Sequence, residues 1–333
     1  MSGRASARIT AAALLAAGTL CATALQAPAA GAAEPPGTSA AQNAKKAAAF
    51  WTADRMRAAK PLDLLSGARK KLTAAAARAA SGPPAHAVPR GKKAAVPPSL
   101  PLPAVTSFPQ AGGPWTGGGK VTSTTGRVFF TYKGRQASCS GDAVNSKNGS
   151  TVLTAGHCVK LEGAWHTNWV FVPGYKDGQA PHGKWAATKT LSTPQWTASE
   201  DINYDVGAAV VAPVDGKRLT DEVGGQGVAF NTGYLKKMYA FGYPAAAPYD
   251  GSKLIYCSGT TIKDPTFSKD HGLACNMTGG SSGGPWFTQF DEATGTGLQS
   301  SVNSFGYTFL PNTMFGPYFG DDAKELYNRA QGS

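Results

Sequence analysis

The C-terminal two-thirds of the chain predicts an all-β domain, on three observations. Short runs rich in β-branched and aromatic residues recur from about Trp115, at 127–132, 151–154, 169–172, 206–211, 238–241 and 253–256. Gly (41 of 333 residues) and Pro (23), with Asn and Asp, punctuate them. No helical periodicity separates one run from the next. Regular short strands without intervening helices suit a β-sandwich or a barrel. With 42% apolar residues, the chain can fill a sizeable core. One amphipathic helix is expected at the end, over 321–330. Two acids open it and Arg329 stands near its close, both matching the helix dipole.

The N-terminal third differs in character. Residues 1–33 read as a secretory signal. Arg4 and Arg8 precede an apolar, Ala-rich run over 9–25, and small residues follow at 28–33. The apolar run is short for a membrane span. Cleavage is therefore expected, leaving no stable membrane anchor and a secreted, extracellular product. Residues 34–110 read as a pro-region or basic linker, partly helical or disordered. Helix-compatible apolar positions occur at Phe50, Trp51, Met56, Leu62, Leu64, Leu65 and Leu72, broken by Pro61 and Gly67. Residues 81–103 are rich in proline and carry a basic cluster at Arg90, Lys92 and Lys93. Such a stretch builds no core. It suits either a cleavable linker or a tail that holds to anionic surfaces. Its place between a signal and a folded domain favours the pro-region.

Charge narrows the partners. The net charge of +12 invites a nucleic-acid reading, but residues 1–105 hold 14 Lys/Arg against 3 Asp/Glu, and residues 106–333 hold 18 against 17. The main domain is nearly neutral, so no nucleic-acid partner is expected for it.

Three stretches carry candidate chemistry. Residues 279–285 read Gly-Gly-Ser-Ser-Gly-Gly-Pro. Glycines allow a tight turn that holds a hydroxyl clear and lets neighbouring N–H groups converge, which an acyl-transfer nucleophile needs. Ser282 is the central residue of Gly280-Ser281-Ser282-Gly283-Gly284 and directly precedes Gly-Gly-Pro, so it is preferred over Ser281. Residues 154–158 read Thr-Ala-Gly-His-Cys and place His157 at a strand end, where a neutral imidazole can act as general base. Residues 203–207 put Asp205 just before an apolar strand, where a carboxylate can orient a histidine. The other histidines (His86, His166, His182, His271) show no paired ligand spacing, so no metal and no other cofactor are expected. Loss of Cys21 with the signal leaves four cysteines, which allow three pairings. Neighbour pairing, Cys139 with Cys158 and Cys257 with Cys275, pins the segments that bear His157 and lead into the serine turn.

Together these motifs, in the order His…Asp…Ser with spacings of 48 and 77 residues, resemble the chymotrypsin-fold serine endopeptidases. They are most similar to the secreted bacterial branch that includes the glutamyl endopeptidases. The resemblance covers roughly residues 115–330. It implies two six-stranded antiparallel β-barrels with a C-terminal helix: a peptidase domain over 111–333, one barrel at about 115–212 and the other at about 213–320. It implies a catalytic triad of His157, Asp205 and Ser282, an oxyanion hole from the N–H groups of Gly280 and Ser282, and polypeptide substrates. Asn276, Met277, Asn303, Ser304, Phe305 and Gly306 fall at the substrate-binding positions, and Ser304 also at the position that supports the Asp. A monomer is expected.

The departures concern activation and specificity. Ser281 stands where animal trypsin-like enzymes carry the Asp that captures a newly cut N-terminus, so activation by that route is not expected. Asn276 replaces the Asp that recruits Lys or Arg. Asn303 replaces the His of the glutamyl branch, which leaves no basis for a Glu preference. A lipase-like reading of the Gly-x-Ser-x-Gly pattern fails because that fold needs its histidine after the serine, and the last histidine is His271. A non-enzymatic secreted homologue that binds a partner is the alternative.

Overall fold

In a computed structural model of the chain, Met1 and residues 37–39, 42–62, 64 and 108–333 are described. The signal-like stretch, the proline-rich stretch with its basic cluster, Leu65 and Leu72 lie outside the described residues. Among the described residues no helix is long and apolar enough to cross a membrane.

The chain from residue 108 enters through β1 (Gln110–Pro114). It then forms β2 (Thr125–Tyr132), β3 (Arg135–Val144), β4 (Thr151–Thr154), β5 (Thr167–Pro173), β6 (Trp185–Ser192) and β7 (Gly207–Val211). These six strands after β1 are hydrogen-bonded in the order β3, β2, β5, β6, β7, β4, and β4 pairs back onto β3. Every pairing in the ring is antiparallel, so the first barrel is closed. The β2–β3 hairpin turns on Lys133 and Gly134, whose φ values of 46° and 78° suit the twist of a two-residue hairpin. Val128, Phe130, Val152, Trp169 and Phe171 fill the interior.

The second barrel uses β8 (Lys237–Gly242), β9 (Ile255–Thr260), β10 (Ile262–Lys263), β11 (His271–Ala274), β12 (Pro285–Asp291), β13 (Thr296–Val302), β14 (Phe305–Tyr307) and β15 (Leu310–Gly316). One sheet runs β13-β12-β8-β9-β1 and the other β10-β11-β15-β14. β9 continues into β10 and β13 into β14, so two bent strands join the sheets into a six-stranded ring. Met238, Ala240, Leu273, Trp286 and Met314 pack inside it. The strand at 110–114 belongs to this barrel, since it pairs with β9. From residue 108 the chain therefore enters on the second barrel, builds the first, and returns.

The final helix, Asp321–Gln331, follows the second barrel but packs on the first, burying Ala323, Leu326 and Ala330. Tyr327 Oη donates to the carbonyl of Asn145 at 2.5 Å. Both disulfides pair neighbouring cysteines. Cys139–Cys158 ties β3 to the turn after β4, and Cys257–Cys275 ties β9 to the residue beyond β11. Each closes a loop of about 20 residues, worth about 3 kcal/mol on the loop-entropy view.

Upstream, α1 (Ala44–Phe50) and α2 (Ala53–Ala58) are capped by Asn43 and Thr52, whose side chains accept the N–H groups of Lys46 and Arg55. Both helices belong to the same compact unit as the barrels.

Candidate active site

His157 sits in a short 3₁₀ turn, Gly156–Cys158, just after β4. Four buried groups hold this turn. His166 Nε2 donates to the His157 carbonyl at 2.8 Å, and burial lowers the His166 pKa to about 3, so the ring is neutral. Trp169 Nε1 donates to the Cys158 carbonyl at 3.0 Å and Trp196 Nε1 to the Lys160 carbonyl at 2.8 Å. The disulfide to Cys139 is the fourth.

Asp205 precedes β7 and is fully buried with His157. Its Oδ1 accepts the His157 backbone N–H at 2.7 Å, and its Oδ2 accepts Nδ1–H at 2.7 Å. A carboxylate can only accept, so Nδ1 carries a proton, and in the neutral ring Nε2 presents a lone pair. Ser304 Oγ donates to the same Oδ2 at 2.5 Å. Thus one carboxylate fixes the imidazole at two points and is itself held by a third donor. His157 Nε2 is buried and has no hydrogen-bond partner among the described residues.

The serine turn is held from behind. The Ser282 carbonyl accepts the Ser140 N–H at 2.7 Å, and Ser140 Oγ donates to the Gly280 carbonyl at 2.9 Å. Gly283, at φ 80°, passes so close to β4 that a Cβ there would lie 2.0 Å from Thr154 Oγ1 and 2.5 Å from the Ser140 carbonyl. Gly280, at φ 97°, likewise leaves no room, with Ala245 N and the Tyr243 carbonyl 2.9 and 3.0 Å from its would-be Cβ. Neither the Gly280 nor the Ser282 N–H is taken up by a carbonyl among the described residues. The glycines thus bring Ser282 against the segment that leads to His157, with two backbone donors to spare.

Beside the turn lies a cleft of about 370 Å³. Asn276, Met277, Ser304, Phe305 and Gly306 line it with Ser282, as do Tyr307, Leu310 and Thr313. No Asp, Glu, Lys, Arg or His is among its lining residues. Asn276 Oδ1 accepts from Tyr249 Oη at 2.6 Å, and its N–H donates to the Ala111 carbonyl at 2.7 Å.

Asn303 departs from the sequence expectation of a substrate contact. It is fully buried, its amide donates to the carbonyls of Ser281 and Phe241, and its Oδ1 accepts Trp286 Nε1. Every polar atom of that side chain is turned into the core, where it braces the serine turn. Ser140, Trp169, Trp196 and His166 were not singled out from the sequence.

Fold and site together define a class, the chymotrypsin-like serine proteases. No protein-family model matches the chain. Among solved structures, protease Anisep from Arthrobacter nicotinovorans is 45% identical, with a TM-score of 0.60 over 63% of this chain and 96% of its own. The thermostable serine protease AL20, from an extremophilic microorganism, is 43% identical, with a TM-score of 0.61 over 64% and 99%. A Glu endopeptidase solved with MPD shares the fold at 17% identity and a TM-score of 0.53, over 67% of this chain and 97% of its own. The chain belongs to the serine proteases of this fold and is a serine endopeptidase.

A curated relative, the extracellular metalloprotease of Bacillus subtilis (strain 168), is 39% identical over 71 residues, 21% of this chain and 22% of that protein. Its name invites a metal. Among the described residues, the cluster that resembles a ligand set is Cys139, His157 and Cys158. Both sulfurs are oxidised in the disulfide and Nδ1 is committed to Asp205, so these residues do not fit a metal.

Proposed function

We propose that this enzyme is secreted and cleaves polypeptides through an acyl-enzyme on Ser282. His157 Nε2 takes the Ser282 hydroxyl proton as Oγ attacks the scissile carbonyl. The oxyanion is held by the N–H groups of Gly280 and Ser282. The protonated ring then gives its proton to the leaving amine, and a water activated by Nε2 releases the acyl group. Asp205 keeps the ring in the tautomer with Nε2 free and stabilises the imidazolium as it forms. The observation that carries this reading is the double grip of Asp205 on His157, which leaves a buried, unpaired Nε2. The substitution Ser282→Ala is expected to lower kcat by about 10⁴–10⁶-fold with the melting point retained. Retained hydrolysis in a pure, folded sample refutes the assignment.

The cleft sets the preferred side chain. A wall without an opposite charge offsets the desolvation of a charged side chain less than it favours an uncharged one. The residue on the acyl side of the cut is therefore an uncharged one. In a peptide library, kcat/KM for uncharged residues at that position is expected to exceed that for Glu, Lys and Arg by at least about 10-fold. A dominant Glu or Lys signal refutes the neutral cleft as the determinant.

A further inference from the structure

The segment over residues 37–64 is not absorbed by the proposed mechanism. The solved relatives match 63–64% of this chain with 96–99% of their own length, a share that residues 108–333 alone can hold. Yet the described residues of this segment are built into the first barrel at four places. Where β6 leaves β5, Ser192 N donates to the Gly37 carbonyl at 2.9 Å, Ser39 N to the Thr190 carbonyl at 2.8 Å, and Thr190 N to Ser39 Oγ at 2.8 Å. Gln42 then grips Trp169, donating to its carbonyl at 2.8 Å and accepting its N–H at 3.1 Å. Next, Trp51, with no exposed surface, lies on Phe129, and its Nε1 donates to the Asn168 carbonyl at 2.6 Å. Trp51 joins Ala47, Met56 and Ala59 over an apolar outer wall made by Phe129, Val170, Val172 and Ala186. Finally, Lys60 and Pro61 pair in parallel with Ala137 and Ser138, and Leu62 N donates to the Ser138 carbonyl.

That last contact bears on the site. Ser138, Cys139 and Ser140 are consecutive, and Ser140 supports the Ser282 and Gly280 carbonyls. The segment lines no part of the cleft.

We propose that residues 37–64 are a permanent strap of the first barrel, which stays bound after any cut between 65 and 107, and not a removable cap on the cleft. Without it, the stretch of β6 beyond β5 and the stretch of β3 beyond β4 would present unpaired backbone groups, and the apolar wall at Phe129 would be bare.

Two measurements on the full-length protein test this, and neither depends on which residue is the nucleophile. In the first, the chain is nicked within 65–107 by limited proteolysis and passed over a sizing column, then weighed by native and by denaturing mass spectrometry. The fragment holding residues 37–64 is expected to travel with the remainder natively and to separate on denaturation. Its loss from a remainder that keeps its melting point overturns the proposal. In the second, Trp51→Ala is expected to lower the melting point by roughly 6–20 °C without raising kcat/KM. Should that variant not fold, the strap is required outright, and the milder Gln42→Ala is then read the same way. A rise in kcat/KM with the melting point unchanged, in either variant, would mark an inhibitory segment and overturn the strap.

Discussion

At the scale of single residues, the site depends on what surrounds Asp205. On the proposed mechanism, Ser304, whose hydroxyl donates to Asp205, is a positioning residue that acts through that carboxylate. Hydrogen bonds to a charged group are worth about 1.5–3 kcal/mol, so Ser304→Ala is expected to lower kcat by roughly 10- to 100-fold. Ser304→Thr, which keeps the hydroxyl, should recover part of that loss, whereas a purely structural role for Ser304 would show equal losses in both. A second buried acid tells a different story. Asp142, fully buried on the outward face of β3, accepts from Thr125 Oγ1 at 3.1 Å, and burial raises its pKa to about 8. Its folded form therefore holds a proton that the unfolded chain releases near pH 4. The stability this group contributes is full below about pH 4 and is lost as pH rises towards 8. Asp142→Asn is accordingly expected to match the wild type below pH 4 and to be more stable at pH 8 by an amount on the order of a few kcal/mol. Denaturant melts at both pH values check this; an equal difference at both would refute it. The candidate site was legible at His157, Asp205 and Ser282 because short local motifs mark strand ends and a tight turn. It was illegible at Asn303 and Ser140, since a residue's neighbours in sequence do not reveal which way its side chain faces.

At the scale of elements, the serine turn owes its path to Gly283. A methyl group there meets both a positive φ and a 2.0 Å contact with Thr154 Oγ1. Gly283→Ala is expected to cost about 3 kcal/mol or more and to lose most activity, because relief of the clash moves Ser282 away from β4. A melting point and kcat equal to the wild type would contradict this. The two disulfides pin the same neighbourhoods, and their reduction should lower the melting point by roughly 10–20 °C. Strands such as β4, with four buried residues in Thr151–Thr154, were visible as apolar runs. β1 (Gln110–Pro114), β3 (Arg135–Val144) and β13 (Thr296–Val302) were not, for their residues are small, polar or glycine. Ladder bonds to neighbouring strands, which no local pattern encodes, hold them in place.

At the scale of the whole molecule, the two barrels are tied by exchanged termini. β1 precedes the first barrel yet pairs in the second, and the final helix follows the second barrel yet packs on the first. A boundary drawn between consecutive halves of the sequence misses both, because crossing over leaves no mark in composition. Of the expected helical positions, Phe50 and Met56 fall in the two N-terminal helices while Trp51 caps the first and Leu62 lies beyond the second; the docking on the outer wall was not legible, since Phe129 and Val170 look like ordinary strand residues. The central claim is that this whole assembly presents Ser282 as a nucleophile activated by His157. The most direct measurement is mass spectrometry of the folded enzyme after exposure to a serine-directed phosphonyl fluoride. One adduct is expected, on the peptide containing Ser282, with loss of peptidase activity in proportion, and no adduct on His157→Ala in the same time. An adduct on Ser281, or full inactivation with Ser282 unmodified, would contradict the account.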